Sequence, residues 1–159
     1  MTRPRRLRPE LIAVLTAVSL VAPLPATLGP TKARAETPAA SASAAAPMDY
    51  TPGLIDSLLA EGRVVFVDYK ASWCTTCAAQ ERVIARLLAE NPEYAERIAF
   101  VNVDWDQWKR DPVTTGRDVP RRSTLLLLQG DRELFRIVAG TSEKDIRAML
   151  DRGLQAAAA

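Results

Sequence analysis

Val64-Val65-Phe66-Val67-Asp68-Tyr69-Lys70-Ala71-Ser72-Trp73-Cys74-Thr75-Thr76-Cys77 is the stretch from which the fold can be read. Its first four residues form an uninterrupted β-branched and aromatic run, the mark of a strand buried on both faces of a partly parallel sheet. From Cys77 onward, Glu81, Ile84 and Leu88, with Leu87 beside them, keep helical spacing as far as Asn91-Pro92, where the helix stops. Two cysteines separated by two residues, between a buried strand and a helix, place the first sulfur at a helix N-terminus. Unpaired N–H groups and the helix dipole favour a thiolate there. Cys74 is therefore the expected nucleophile. Cys77, one turn further in, is expected to be close enough to bridge to it and too buried to attack a large partner first. The order of thiol–disulfide exchange follows: Cys74 attacks, a mixed disulfide forms, and Cys77 resolves it. The alternative is a purely structural bridge, but a loop this short gives little entropic stabilisation.

Composition narrows the chemistry further. The chain has 159 residues, 48% hydrophobic and 25% charged, room for one core of ordinary size. It has two cysteines and no histidine, which excludes Ser-His-Asp and Cys-His catalysis and His-rich metal sites. Attachment of c-type haem is excluded because Ala78 follows the second cysteine. Two thiolates are only half of a closed zinc site, so no metal and no cofactor is expected beyond the Cys74–Cys77 pair itself.

Residues 1–35 read differently from the rest. Arg3, Arg5, Arg6 and Arg8 make a basic start, Leu11 to Ala22 is an apolar run, Pro23 and Pro25 break it, and Ala33-Arg34-Ala35 is a small-x-small cleavage pattern. This predicts a cleavable signal peptide over 1–35 and export to the periplasm. A membrane anchor is the competing reading, but twelve residues at helical rise span about 18 Å against a hydrocarbon core of roughly 30 Å. Arg5-Arg6 also permits a twin-arginine reading, which Pro4, Pro9 and Glu10 disfavour. Residues 1–35 hold six of the 21 Lys/Arg and one of the 19 Asp/Glu, so the remainder carries 15 basic against 18 acidic residues, net −3. No basic stripe remains to argue for nucleic acid.

Working outward, the Ala/Ser/Pro-rich segment 36–50 predicts a flexible tether, residues 51–154 a single domain and 155–159 a disordered tail. Within the domain, Thr51-Pro52 and Gly62 bracket a helix over about 52–61. Ile98–Val103 predicts a second buried strand, and 104–116 irregular or short-helical chain. Thr124–Leu128 and Leu134–Val138 read as strands joined by the polar turn Gln129–Glu133. Ser142 with Asp145 caps a last helix, carried by Ile146, Met149 and Leu150 and ending before Gly153.

These residues resemble the thioredoxin superfamily. The resemblance is carried by the strand ending in Val67-Asp68, by Ala71-x-Trp73-Cys74-x-x-Cys77, by Val101-Asn102-Val103-Asp104, and by Thr124-Leu125-Leu126-Leu127 with its hairpin into Gly140. It covers about residues 53–153 and implies an α/β fold, a central mixed sheet flanked by helices. With the leader, Ala71-Ser72-Trp73-Cys74 looks most like periplasmic thioredoxin-like reductases. The resemblance implies that Trp73 shields the disulfide and offers a flat docking surface, and that Trp73, Pro120, Ser123 and Thr124 form the substrate-contacting surface. The glycine-proline usual between the cysteines is here Thr75-Thr76. The proline that usually faces them is either Pro120, reached through an insertion, or Ser123, which adds a backbone N–H. The lysine that often faces the buried acid matches Phe100. For Asp68 the resemblance implies a buried proton shuttle for Cys77 with a raised pKa; strand alternation instead allows an ion pair with Lys70. Trp105 and Trp108 read as packing residues. Arg121 and Arg122 read as solvated, or as selectors of acidic partners.

The expected function is that of an exported, monomeric dithiol reductase acting on protein thiols and disulfides, such as those of cytochrome c biogenesis. A membrane thiol transporter would be its electron donor, because thiols outside the cytosol otherwise oxidise. An oxidase or isomerase, or a non-catalytic binding module, are the alternatives.

Overall fold

In the computed structural model, which describes residues 46–159, the chain runs in order through β1 (Met48–Asp49), α1 (Leu54–Ala60), β2 (Val64–Lys70), α2 (Thr75–Glu90), α3 (Glu93–Arg97) and β3 (Ile98–Asp104). It continues through α4 (Trp105–Trp108), α5 (Pro112–Thr115), β4 (Thr124–Gln129), β5 (Arg132–Val138) and α6 (Glu143–Ala157). The five strands form one mixed sheet in the order β1-β3-β2-β4-β5. β2 lies at its centre, parallel to β3 and antiparallel to β4. This is the thioredoxin fold that the resemblance implies.

The apolar run of β2 supplies both layers. Val64 and Phe66 face α2 and α6 with Phe100, Leu125, Leu127, Ile146 and Met149. Val65, Val67 and Tyr69 face the other way, against Ile55, Leu58 and Val113. A strand buried on both faces needs the contiguous rather than alternating pattern that Val64–Val67 shows. Strand alternation then puts Asp68 and Lys70 on the Phe66 side, the side that α2 covers.

Several boundaries differ from the sequence reading. The segment 36–50 is not tether throughout, because Met48 and Asp49 pair with Val101 and Asn102, and Tyr50 N donates to Asn102 O at 2.8 Å. The Tyr50 ring then packs edge-on against Trp108 at 5.1 Å. A two-residue edge strand has no periodicity to announce it. Residues 155–157 are not a disordered tail but the last part of α6: Ala156 is buried, Gln129 Nε2 donates to Ala156 O, and an Arg97 Nη donates to Ala157 O. Gly153 does not end that helix. It lies within it, where a Cβ would come 2.5 Å from Ile98 Cδ1, so its role is close packing on β3.

At the other end of the domain, α1 starts at Leu54 after a turn through Thr51-Pro52-Gly53, later than the expected 52. α3 was not expected; its one apolar contact pair, Tyr94 and Ala95, is too short to show a period. The hairpin closes through Gly130-Asp131 alone rather than through the five residues 129–133. The expected signal peptide over 1–35 and the tether up to residue 45 lie outside the described residues. No helix among the described residues is long and apolar enough to cross a membrane.

Candidate active site

α2 begins because Cys74 caps it. Cys74 has extended backbone (φ −88, ψ 110), and its Sγ accepts from Cys77 N at 3.1 Å, taking one of the N–H groups that the first turn leaves unpaired. A disulfide joins Cys74 to Cys77, with Cα atoms 5.3 Å apart. Both are buried, Cys74 to 5% and Cys77 to 1% relative exposure, with Ala71 and Trp105 packed against them. Their access differs. Cys74 lines a hollow of about 240 Å³ together with Lys70, Ala71, Ser72, Glu81 and Asp104, whereas Cys77 does not. Trp105 thus packs, as the sequence suggested, and so does Trp108.

The buried stripe of α2 is Cys77, Gln80, Ile84 and Leu87, with Glu81 and Leu88 only half-buried, so the helix is rotated slightly from the sequence assignment. That rotation turns Glu81 toward Lys70, and the two form an ion pair. Lys70 thus takes Glu81 rather than Asp68 as its ion-pair partner, and Asp68 is 4% exposed with an Oδ1 that has no hydrogen-bond partner. Burial pushes the Asp68 carboxyl up from 3.8 to about 7; Lys70 pulls it down and Glu81 pushes it up, both by less. The ion-pair reading of Asp68 with Lys70 is thus displaced by Lys70–Glu81. Phe100, where a lysine was the comparison, stacks against Phe66 at 5.0 Å in the core.

Ser123, not Pro120, faces the sulfurs: its hydroxyl lies 3.1 Å from Cys74 Sγ and 3.2 Å from Cys77 Sγ, while Pro120 is exposed. The extra N–H expected there is used, donating to Tyr69 O at 2.7 Å. Ser123 and Thr124 offer no surface to a substrate, since both are fully buried. Thr124 Oγ1 donates instead to Arg121 O at 2.7 Å, closing the loop before β4.

Trp73 is 56% exposed beside the hollow, its indole N–H donating to Asp106 at 2.6 Å and one face covered by the Arg122 guanidinium at 4.3 Å. Arg122 is thereby a half-buried cation–π partner rather than a solvated charge. Gln80 went unnoticed in the sequence. It is fully buried, and its Nε2 donates to Ser123 O at 3.2 Å and Gly140 O at 2.8 Å. The available signal was a polar residue three positions after Cys77, on the stripe that should be apolar. No cluster of three or more Cys, Asp or Glu suited to a metal ion occurs among the described residues.

The family model described as Thioredoxin matches residues 53–152. The chain belongs to the thioredoxin family. Among its relatives, Thioredoxin H-type of Oryza sativa subsp. indica is 31% identical over 98 residues, 62% of this chain and 75% of that protein. Thioredoxin H5 of Oryza sativa subsp. japonica is 27% identical over 89 residues, 56% of this chain and 62% of the relative, so the chain spans about six tenths of that protein's length. The solved structure of Trxlp from Edwardsiella tarda EIB202 superposes with a TM-score of 0.58 at 27% identity, covering 66% of this chain and 98% of that one.

Proposed function

We propose that this thioredoxin-family chain is an exported thiol:disulfide oxidoreductase that works as a dithiol reductase on protein disulfides. The observation that carries the reading is the unequal setting of the two sulfurs: Cys74 caps α2 and lines the hollow, while Cys77 is sealed behind it. In the reduced enzyme the Cys74 thiolate attacks one sulfur of a substrate disulfide. A Cys74–substrate bond forms and the other substrate sulfur leaves as a thiolate. Cys77 then gives its proton to the Asp68 carboxylate and attacks Cys74 Sγ. The Cys74–Cys77 bond forms, the second substrate thiolate departs, and two electrons have passed to the substrate. A carboxyl held at about 7 is present in both protonation states near neutrality, which suits a group that takes and returns one proton. Trp73, with Arg122 over its face, offers the docking surface beside Cys74, and Pro120 lies in the exposed part of the adjoining loop.

The leader pattern of residues 1–35 supports periplasmic placement, and with it a monomer recharged by a membrane thiol transporter and serving exported cysteines such as those of apocytochromes. Redox titration of the Cys74–Cys77 couple against glutathione or dithiothreitol tests the direction. A potential toward roughly −270 mV is expected, and one near −120 mV would make the protein an oxidant. In cells, alkylation trapping should find the pair mainly reduced when the transporter is intact and mainly oxidised without it. Full oxidation in the intact strain would overturn the reductase reading.

A further inference from the structure

Ser123 is buried completely and held in an unusual backbone conformation. Its φ of 61° is left-handed, disfavoured for a residue with a Cβ and closed to proline, whose ring fixes φ near −65°. Three hydrogen bonds keep it there. Ser123 N donates to Tyr69 O at 2.7 Å, Ala139 N donates to Ser123 O at 2.8 Å, and the buried Gln80 amide donates to the same carbonyl at 3.2 Å. A strained backbone fixed from three sides holds one side-chain atom in place. That atom is Oγ, 3.1 Å from one sulfur and 3.2 Å from the other. A disulfide carries no S–H, so the hydroxyl is the donor. No other partner of Ser123 Oγ occurs among the described residues.

A hydrogen bond to a disulfide sulfur is weak, whereas one to a thiolate is charge-assisted and roughly twice as strong as a neutral one. Exchange moves negative charge between these two sulfurs, and Oγ is nearly equidistant from them. We propose that Ser123 is a catalytic residue, donating its hydroxyl hydrogen to whichever of Cys74 and Cys77 carries the thiolate; this rests on the oxidoreductase reading given above. In the reduced enzyme the hydrogen bond goes to the Cys74 thiolate. After attack the charge leaves with the substrate sulfur, Cys77 passes its proton to Asp68, and the hydroxyl turns to the Cys77 thiolate. Closure of the Cys74–Cys77 bond expels the second substrate thiolate and returns the weak contact. In the reverse direction the hydroxyl stabilises Cys77 as the leaving group. The donor is preorganised, so no reorganisation of the loop is needed during the reaction.

The test uses Ser123→Ala and Ser123→Gly in the full chain. Glycine accepts the left-handed backbone without cost, so it carries the test if alanine, which does not, fails to fold. The reduced proteins are titrated by ultraviolet thiolate absorbance, and single-turnover attack on a synthetic peptide disulfide is followed at a pH below the titration midpoint. Loss of the hydroxyl is expected to reduce the thiolate-to-thiol ratio of Cys74 about tenfold, moving the midpoint up by about one pH unit. The more basic thiolate recovers part of that in nucleophilicity, so attack should slow about threefold. Above the midpoint the couple should become more reducing by about 30 mV, the tenfold change expressed for two electrons. Wild-type exchange with unchanged midpoint and rate in a folded variant would overturn the role of Ser123 and leave the oxidoreductase reading standing. A wild-type protein that does not exchange with the peptide at all would overturn both.

Discussion

Replacing Asp68 with asparagine should stabilise the oxidised protein, and by an amount that depends on pH. Asp68 sits on the α2 side of β2, 4% exposed, with Oδ1 unpaired and Lys70 held by Glu81. Burial raises its carboxyl from 3.8 to about 7. In the unfolded chain the same group ionises near its ordinary value, so between these two values the folded state holds a proton that the unfolded state has released. Asp68 therefore costs nothing below about pH 3.8, and stability is lost progressively as pH rises, the loss being complete above about 7. At about 1.4 kcal/mol per pH unit, the full cost is about 4 kcal/mol, a large share of the 5–15 kcal/mol typical of a domain. Asparagine has nearly the same shape and no charge, so Asp68→Asn escapes this loss. Urea unfolding of both proteins with the disulfide intact, from about pH 4 to about pH 8.5 at fixed ionic strength, reads it directly. The gap should widen by several kcal/mol across that range, most steeply midway between 3.8 and about 7 and flattening above 7. Parallel curves would refute the claim that Asp68 is a buried, unpaired carboxyl.

The same carboxyl should set kinetics: in wild type the resolving step accelerates through about pH 7, and stopped-flow traces of Asp68→Asn should lack that inflection while the first attack by Cys74 is nearly unchanged. Lys70→Met should move the Asp68 inflection up and Glu81→Gln should move it down, because the first lowers and the second raises the Asp68 carboxyl; shifts in the same direction, read by carbon-13 NMR of the carboxyl, would contradict this. Gly153→Ala should destabilise by about 1–2 kcal/mol despite alanine's better helix propensity, since its Cβ would meet Ile98 and Leu127 side chains at 2.5 and 3.3 Å. An unchanged thermal midpoint would show that the helix–sheet contact is looser than described.

What the sequence made legible were features written in neighbouring residues. Val64–Val67 announced a strand buried on both faces because both faces need apolar side chains, and Cys74-Thr75-Thr76-Cys77 announced the disulfide because helix geometry brings those sulfurs together. The site's surroundings depend on side chains far apart in the chain. Nothing local links Lys70 to Glu81, Trp73 to Asp106, or Gln80 to Gly140; those pairs exist only once α2 has docked on the sheet and the loops have closed over it. The choice between Pro120 and Ser123 was open for the same reason. It turns on a left-handed φ and a bond to Tyr69 that only the paired β2 and β4 create. The ends of the domain are not legible in the sequence because edge pairing at Met48–Asp49 and carbonyl capping at Ala156 and Ala157 engage backbone groups, which composition does not record.

The unequal roles of the two sulfurs are tested most directly by trapping. Cys77→Ser and Cys74→Ser are each incubated, reduced, with a peptide disulfide, and the covalent adducts are resolved by non-reducing electrophoresis and mass spectrometry. Cys77→Ser should accumulate a stable mixed disulfide at Cys74, which lines the hollow, because the residue that would resolve it is gone. Cys74→Ser should form little adduct, its remaining thiol being sealed at 1% exposure. Equal trapping by the two variants, or adducts formed through Cys77 alone, would contradict the account.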